Sequence, residues 1–219
     1  MVKVTEKPRF SRSGFFVSSF CILNTMAKEI EAKILNIDVP ALEAKLAALG
    51  ATNTGEKLFR STSFDYPGFP LDKQAAWVRL RDEGDKVTLA YKQRLGVLNM
   101  SEGTDDSGME EVEVEVSDFE TAKQFLIKLG LVEKFSQEKK RVTWKKESIT
   151  YDIDTWPRLD PYLEVEGYTW EAVDAAIIEL GIGLEEKKIC SATQIYQMAG
   201  IRDKDYIKMT FSEFIKRPV

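Results

Sequence analysis

Acids recur at every second position in three short stretches of this chain: Glu29 and Glu31 with Lys33 close behind, then Glu111, Glu113 and Glu115, then Glu164 and Glu166. Bases follow the same spacing at Arg79 and Arg81 and at Lys139 and Arg141; Asp152 and Asp154 repeat it with acid. Residues two apart in a strand share one face, so each set presents its charges together. Clustered carboxylates offer hard oxygen ligands suited to Mg²⁺ or Mn²⁺, and arginine and lysine hold the oxygens of phosphates. The chain has no histidine. That removes Ser-His and Cys-His catalysis, histidine-ligated zinc and imidazole acid–base chemistry together. Whatever chemistry is done falls to carboxylates, Lys, Arg, Tyr or hydroxyls.

The frame that positions these residues is an ordinary globular one. With 219 residues, 43% hydrophobic and 31% charged, the chain has room for one large domain or two small ones with a real core. A net charge of −5 argues against a general nucleic-acid surface. Two cysteines, Cys21 and Cys190, make neither a disulfide framework nor a metal cluster, which fits a reducing compartment and a cytoplasmic protein. Residues 1–26 are read as an N-terminal extension outside the fold. Their apolar run, Gly14 to Leu23, loosely resembles a secretory signal but is too short to span a bilayer, and no membrane partner is expected.

Beyond Met26 one unit echoes three times, over Glu29–Gly50, Glu111–Gly130 and Leu163–Gly181. Each opens with a Glu-x-Glu strand, enters a helix and stops at Leu-Gly. Asp38, Ser117 and Thr169 are expected N-caps, with Ser117 and Glu120 at capping-box spacing, and the closing glycines sit where positive φ is wanted. Further strands are predicted over Phe59–Tyr66, Ala75–Arg81, Lys86–Gln93, Lys139–Lys145 and Ser148–Asp154, with a hairpin turn at Arg81–Lys86. Gly96–Gly108 reads as a polar loop, and residues 202–219 as a terminal helix on the domain.

Sorting by parity gives every strand an apolar face and a charged one. Arg79 and Arg81 oppose Val78 and Leu80; Lys92 lies with Thr88 and Ala90 opposite Val87, Leu89 and Tyr91. A lone Glu-x-Glu is usually a solvated face. About eight such strands, charged almost without exception, instead predict an α+β fold: an eight-stranded antiparallel closed β-barrel, helices outside and charges within. Closure would also remove sheet edges that the sequence does little to protect.

The ordered set resembles the CYTH superfamily, the triphosphate tunnel metalloenzymes. Glu29-x-Glu31-x-Lys33 matches the family's ExExK signature, followed by Arg79-x-Arg81, Lys92, Glu111/Glu113/Glu115, Arg141, Asp152 and Glu164-x-Glu166 across residues 27–200. The resemblance implies a tunnel that binds a small-molecule triphosphate with Mg²⁺ or Mn²⁺. Glu29, Glu31, Asp152, Glu164 and Glu166 are then the expected metal ligands. Lys33, Arg79, Arg81, Lys92, Lys139 and Arg141 are the expected phosphate clamps. Glu113 and Glu115 stand near the attacking water, with Glu111 an open alternative, and Lys33 as clamp or base. A basic residue near the C-terminal helix is Lys187 or Lys188. The implied activity is triphosphate hydrolysis; class IV adenylate cyclase and a non-catalytic polyphosphate- or nucleotide-binding module are the alternatives.

Overall fold

A computed structural model describes residues 30–94 and 109–218. Residues 1–26, Glu29 and the 96–108 loop therefore lie outside the described residues. The chain runs β1 (Ile30–Ile34), α1 (Val39–Ala48), β2 (Thr52–Asp65), β3 (Ala76–Asp82), β4 (Val87–Arg94), β5 (Met109–Val116) and α2 (Phe119–Lys128). It continues with β6 (Val132–Lys146), β7 (Ile149–Thr155), β8 (Tyr162–Gly167), α3 (Trp170–Glu179), α4 (Ala192–Met198), β9 (Tyr206–Met209) and β10 (Phe214–Lys216).

The helix boundaries follow local chemistry. Asp38 accepts from the Ala41 amide, Pro40 stands in the first turn where its missing N–H costs nothing, and Gly50 leaves the helix at φ +78°. Thr169 caps α3 as expected. The cap of α2 is Asp118, not Ser117: its carboxylate accepts from Thr121 N at 2.7 Å, and the helix starts one residue later than the capping-box spacing suggested.

Eight strands follow one another antiparallel in the order β1-β8-β7-β6-β2-β3-β4-β5, within a sheet that β9 and β10 also join. The closed barrel expected from the sequence is not observed: among the described residues no hydrogen bonds join the outer strands β1 and β5. Alternation sets which face is buried, but not whether the last edge finds the first. The β1 edge is partly used by the backbone of Lys188, which exchanges hydrogen bonds with Lys33 at 2.8 and 2.9 Å. On β5, four glutamates line the strand, a charge pattern that discourages another strand from pairing there.

Two cores lie on the outer face. Ala32, Ile34, Tyr151, Ile153, Leu163 and Val165 meet Leu42 and Leu46 of α1 and Val173 and Ile177 of α3. Each such aliphatic side chain contributes about 1.5–3 kcal/mol by its burial. The second core is smaller: Phe64 and Leu80 under Leu126 of α2, with Leu131 beside them. On the outer face of β5 it reaches Val116, whereas Val112 and Val114 are 61% and 53% exposed.

The C-terminal region corrects a further expectation. After α4 the chain forms the β9–β10 hairpin rather than a terminal helix, and β9 joins β6 in parallel at Ser136 and Gln137. No helix among the described residues is long and apolar enough to cross a membrane.

Candidate functional site

Register brings the charges together. Across β1 and β8, Lys33 stands opposite Glu164 and Glu31 opposite Glu166. Across β8 and β7, Glu164 faces Asp152; across β7 and β6, Asp154 faces Arg141 and Asp152 faces Thr143. Directly opposed residues in an antiparallel ladder point to the same side. Six of the sequence-predicted residues, Glu31, Lys33, Arg141, Asp152, Glu164 and Glu166, thus share the charged face of one half of the sheet.

In this half the charges satisfy one another. The Lys33 ammonium lies 2.6 Å from Glu31 and 3.2 Å from Glu164, with the lysine side chain 3% exposed. Arg141 donates Nε and one terminal nitrogen to Asp154 at 2.5 and 2.7 Å and pairs with Asp152 at 2.6 Å and with the second oxygen of Glu164. Lys139 reaches Asp154 at 2.9 Å, its ammonium also lying over the rings of Phe59 and Trp156. Burial penalises charge throughout this cluster, and partners decide the outcome. At Arg141 and Lys33 the burial penalty is outweighed by the carboxylates, so both hold their protons more tightly than usual. Lys139 is too deeply desolvated for Asp154 to compensate fully, and its pKa falls. Glu164 is pushed up by burial and by the Asp154 charge, although Lys33 and Arg141 pull it back. Asp154, desolvated but gripped by Arg141 and Lys139, is lowered.

The other half is looser. Arg79 contacts Glu113 at 3.3 Å and Glu111 at 3.5 Å, and Lys92 donates to Glu111 at 2.7 Å. Arg81 pairs with Glu83 at 2.5 Å at the β3–β4 turn. The Nε atoms of both Arg79 and Arg81 are buried without a hydrogen-bond partner. Burial lowers the pKa of Arg79 and of Lys92. Glu115 stands opposite Thr88, two residues beyond the Arg79 contacts. Between the halves Phe59 of β2 lies with its ring within 6 Å of Lys139, Arg81 and Arg141, while Lys57, opposite Arg141, pairs with Asp85.

Several participants were not singled out from sequence. Asp154 shares Asp152's face, but nothing in the alternation shows that it is the fully buried one holding two cations. Phe59 and Glu83 broke no pattern that would have marked them. Trp77, opposite Lys92, lies on the charged face, whereas Trp144 is core. The two lysines near the C-terminal helix are placed differently: Lys188 stands opposite Lys33 across a backbone bridge, while Lys187 pairs with Asp174 of α3 at 2.5 Å, over Trp170.

Glu31, Asp152, Asp154, Glu164 and Glu166 are all oxygen donors on adjacent strands, a donor set that suits a hard divalent ion. Among the described residues no three of them converge tightly enough to enclose one as they stand. The oxygens of Glu31, Glu164, Asp152 and Asp154 are directed to Lys33, Lys139, Arg141 and Thr143 instead.

Solved structures with this fold include the PH1012 protein of Pyrococcus horikoshii, 21% identical with a TM-score of 0.56 over 76% of this chain and 98% of that one. A candidate adenylate cyclase from Vibrio parahaemolyticus is 14% identical, with a TM-score of 0.60 over 77% of this chain and 97% of that one. A candidate adenylyl cyclase from Hippeastrum, reported to have a dominant triphosphatase activity, is 17% identical, with a TM-score of 0.52 over 78% and 95%. No curated protein matches the chain. The sequence model of the CYTH domain matches residues 27–198, which span the eight antiparallel strands β1 to β8 and both halves of their charged face. The chain belongs to the CYTH domain family.

Proposed function

We propose that this protein hydrolyses a triphosphate, inorganic or carried on thiamine or a nucleoside, with Mg²⁺ or Mn²⁺. The observation that carries the reading is the division of one charged face: carboxylates of β1, β7 and β8 lie in one half, and in the other lie guanidinium donors on β3 that the β5 glutamates leave partly unsatisfied. A triphosphate chain accompanied by a metal ion has the complementary division. Family membership supports triphosphate chemistry in general, and the triphosphatase activity reported for the Hippeastrum protein supports hydrolysis.

Glu31, Glu164, Glu166 and Asp152, with Glu29 before β1, are the residues that would hold the ion. When bound, it neutralises phosphate charge and acidifies a coordinated water. Arg79, Arg81 and Lys92 hold and align the phosphate oxygens, since phosphoryl transfer depends on positioning and charge neutralisation more than on covalent help. Lys139 and Arg141 steady the acidic side. A water attacks the terminal phosphorus, the bond to the bridging oxygen breaks, and a carboxylate of the Glu113/Glu115 strand takes the proton. Lys33, whose carboxylate partners keep it protonated, suits a cationic role better than that of base.

Phosphate release from tripolyphosphate, thiamine triphosphate and ATP with Mg²⁺ or Mn²⁺ tests this. Orthophosphate from at least one of them is expected. Cyclic AMP and diphosphate from ATP would establish the cyclase instead; tight binding without turnover would establish a binding module.

A further inference from the structure

Both oxygens of Glu164 are engaged, one by Lys33 and the other by Arg141. The oxygens of Asp152 are taken by Thr143 and Arg141, and those of Asp154 by Arg141 and Lys139. Any divalent ion drawing on Glu31 and Glu164 must therefore compete with a resident cation. The two candidates for displacement differ greatly in how they are held. Arg141 grips three carboxylates, one of them through two parallel hydrogen bonds, a geometry that is rigid and costly to undo. Lys33 has a single ammonium on a flexible stem, and its nearer partner, Glu31, is 52% exposed. Lys33 is the one that can leave.

We propose that Lys33 is an exchangeable counter-ion for the Glu31–Glu164 pair, and that its release couples metal binding to triphosphate binding. The inference rests on the metal-and-triphosphate reading of this site. A divalent ion at the carboxylates frees the Lys33 ammonium, which remains on the charged face and turns to a phosphate oxygen. An incoming triphosphate, by attracting Lys33, in turn opens the carboxylates to the ion. Because the coupling is a free energy shared by two ligands, each tightens the other by the same factor. Lys33 thus enforces joint occupancy: metal alone meets a neutralised pair, and triphosphate alone meets a lysine still held by carboxylates.

The test is an equilibrium titration with Mn²⁺ alone, in wild type and in two variants of opposite sign. Lys33→Met removes the competing charge at similar length and should raise Mn²⁺ affinity about tenfold, in the range usual for coupled sites. Lys33→Arg holds both carboxylates more firmly and should lower it. The second arm measures a non-hydrolysable imido analogue of tripolyphosphate. With chelator present, Lys33→Met should change its affinity little; with saturating Mn²⁺ it should weaken binding about tenfold. Should Lys33→Met bind Mn²⁺ no better than wild type, or lose the same factor in analogue affinity with and without metal, the counter-ion role is overturned while the proposed function stands. A wild-type protein that binds neither Mn²⁺ nor the analogue when both are present together removes both. Lys33→Arg keeps the question decidable if the methionine variant fails to fold, since unaltered or improved Mn²⁺ affinity in it contradicts the proposal.

Discussion

The two halves of the charged face are built from the same alternation, yet they end in opposite states. On β6, β7, β8 and β1, Asp154 is fully buried, and Lys33 and Asp152 are nearly so, each ion-paired. On β3, β4 and β5, Glu111 and Glu113 keep about a third of their side-chain surface in water (32% and 33%), and two arginine Nε atoms lack partners. The difference follows from what lies behind and beside the strands. Two helices back the first half and Lys188 covers part of its edge; one helix backs the second, whose last strand has no strand partner on its outer side among the described residues. Burial turns a row of charges into a network that must satisfy itself. Exposure leaves charges available to a ligand.

The sharpest way to break this contrast is to remove the carboxylate at the centre of the buried half. Asp154→Asn leaves Arg141 and Lys139 desolvated with one anion fewer, and a stability loss of about 3–5 kcal/mol in denaturant titration is expected. Glu113→Gln, the matching change in the open half, should cost less than about 1 kcal/mol. Equal losses would erase the distinction between the halves. Glu31→Gln keeps shape but removes a charge from the carboxylate set. It should raise the magnesium requirement and depress turnover on the order of a hundredfold, because metal-assisted charge stabilisation is worth several kcal/mol. Wild-type behaviour in a magnesium titration would return this strand face to the status of solvated surface.

Arg81→Ala addresses the open half. Triphosphate affinity, measured calorimetrically, should fall about tenfold or more while the metal dependence stays near normal, as charge-assisted hydrogen bonds are worth about 1.5–3 kcal/mol. The pH dependence is a gentler probe. Burial lowers the pKa of Lys92, and bound phosphate would raise it again. Affinity should therefore be level below the free-protein value and decline above it, starting below the ordinary lysine pKa of about 10.4. Lys139, also lowered, contributes to the same limb, whereas Lys33, raised, does not. Lys92→Arg should move the decline to higher pH; an unchanged limb would assign it to Lys139. The smallest effect is expected from starting the chain at Met26, which should leave melting temperature and activity unaltered.

The sequence showed faces better than it showed edges or depths. Alternation placed Glu31, Lys33, Arg79, Arg81, Arg141, Glu164 and Glu166 on one face because a strand's period is two and tolerates no drift. The same rule has no term for depth along a strand, so Asp152 and Asp154 looked alike although only the latter meets two cations. Nor does it describe closure, which depends on distant edges meeting, and among the described residues β1 and β5 do not pair. The C-terminal hairpin was missed because its strands are four and three residues long, too short to display a period. Lys188 needed its backbone bridge to Lys33 before it could be told from Lys187.

That bridge has a consequence in time. The strand bearing Glu31 and Lys33 comes first among the described strands of the sheet, yet among the described residues it pairs with β8 and bridges to Lys188, both far along the chain. As the protein is made from its N-terminus, β1 has nothing to pair with until almost everything else has emerged. Contacts so remote in sequence form slowly, because a long loop must close before they reward it. The β2–β6 and β3–β4–β5 pairings, whose partners lie nearer in sequence, can assemble beforehand. An unpaired apolar strand waiting in this way is a point of risk for misassembly. The acidic site is thus completed late, and a nascent chain cannot gather the carboxylates of β1, β7 and β8 before β8 has emerged.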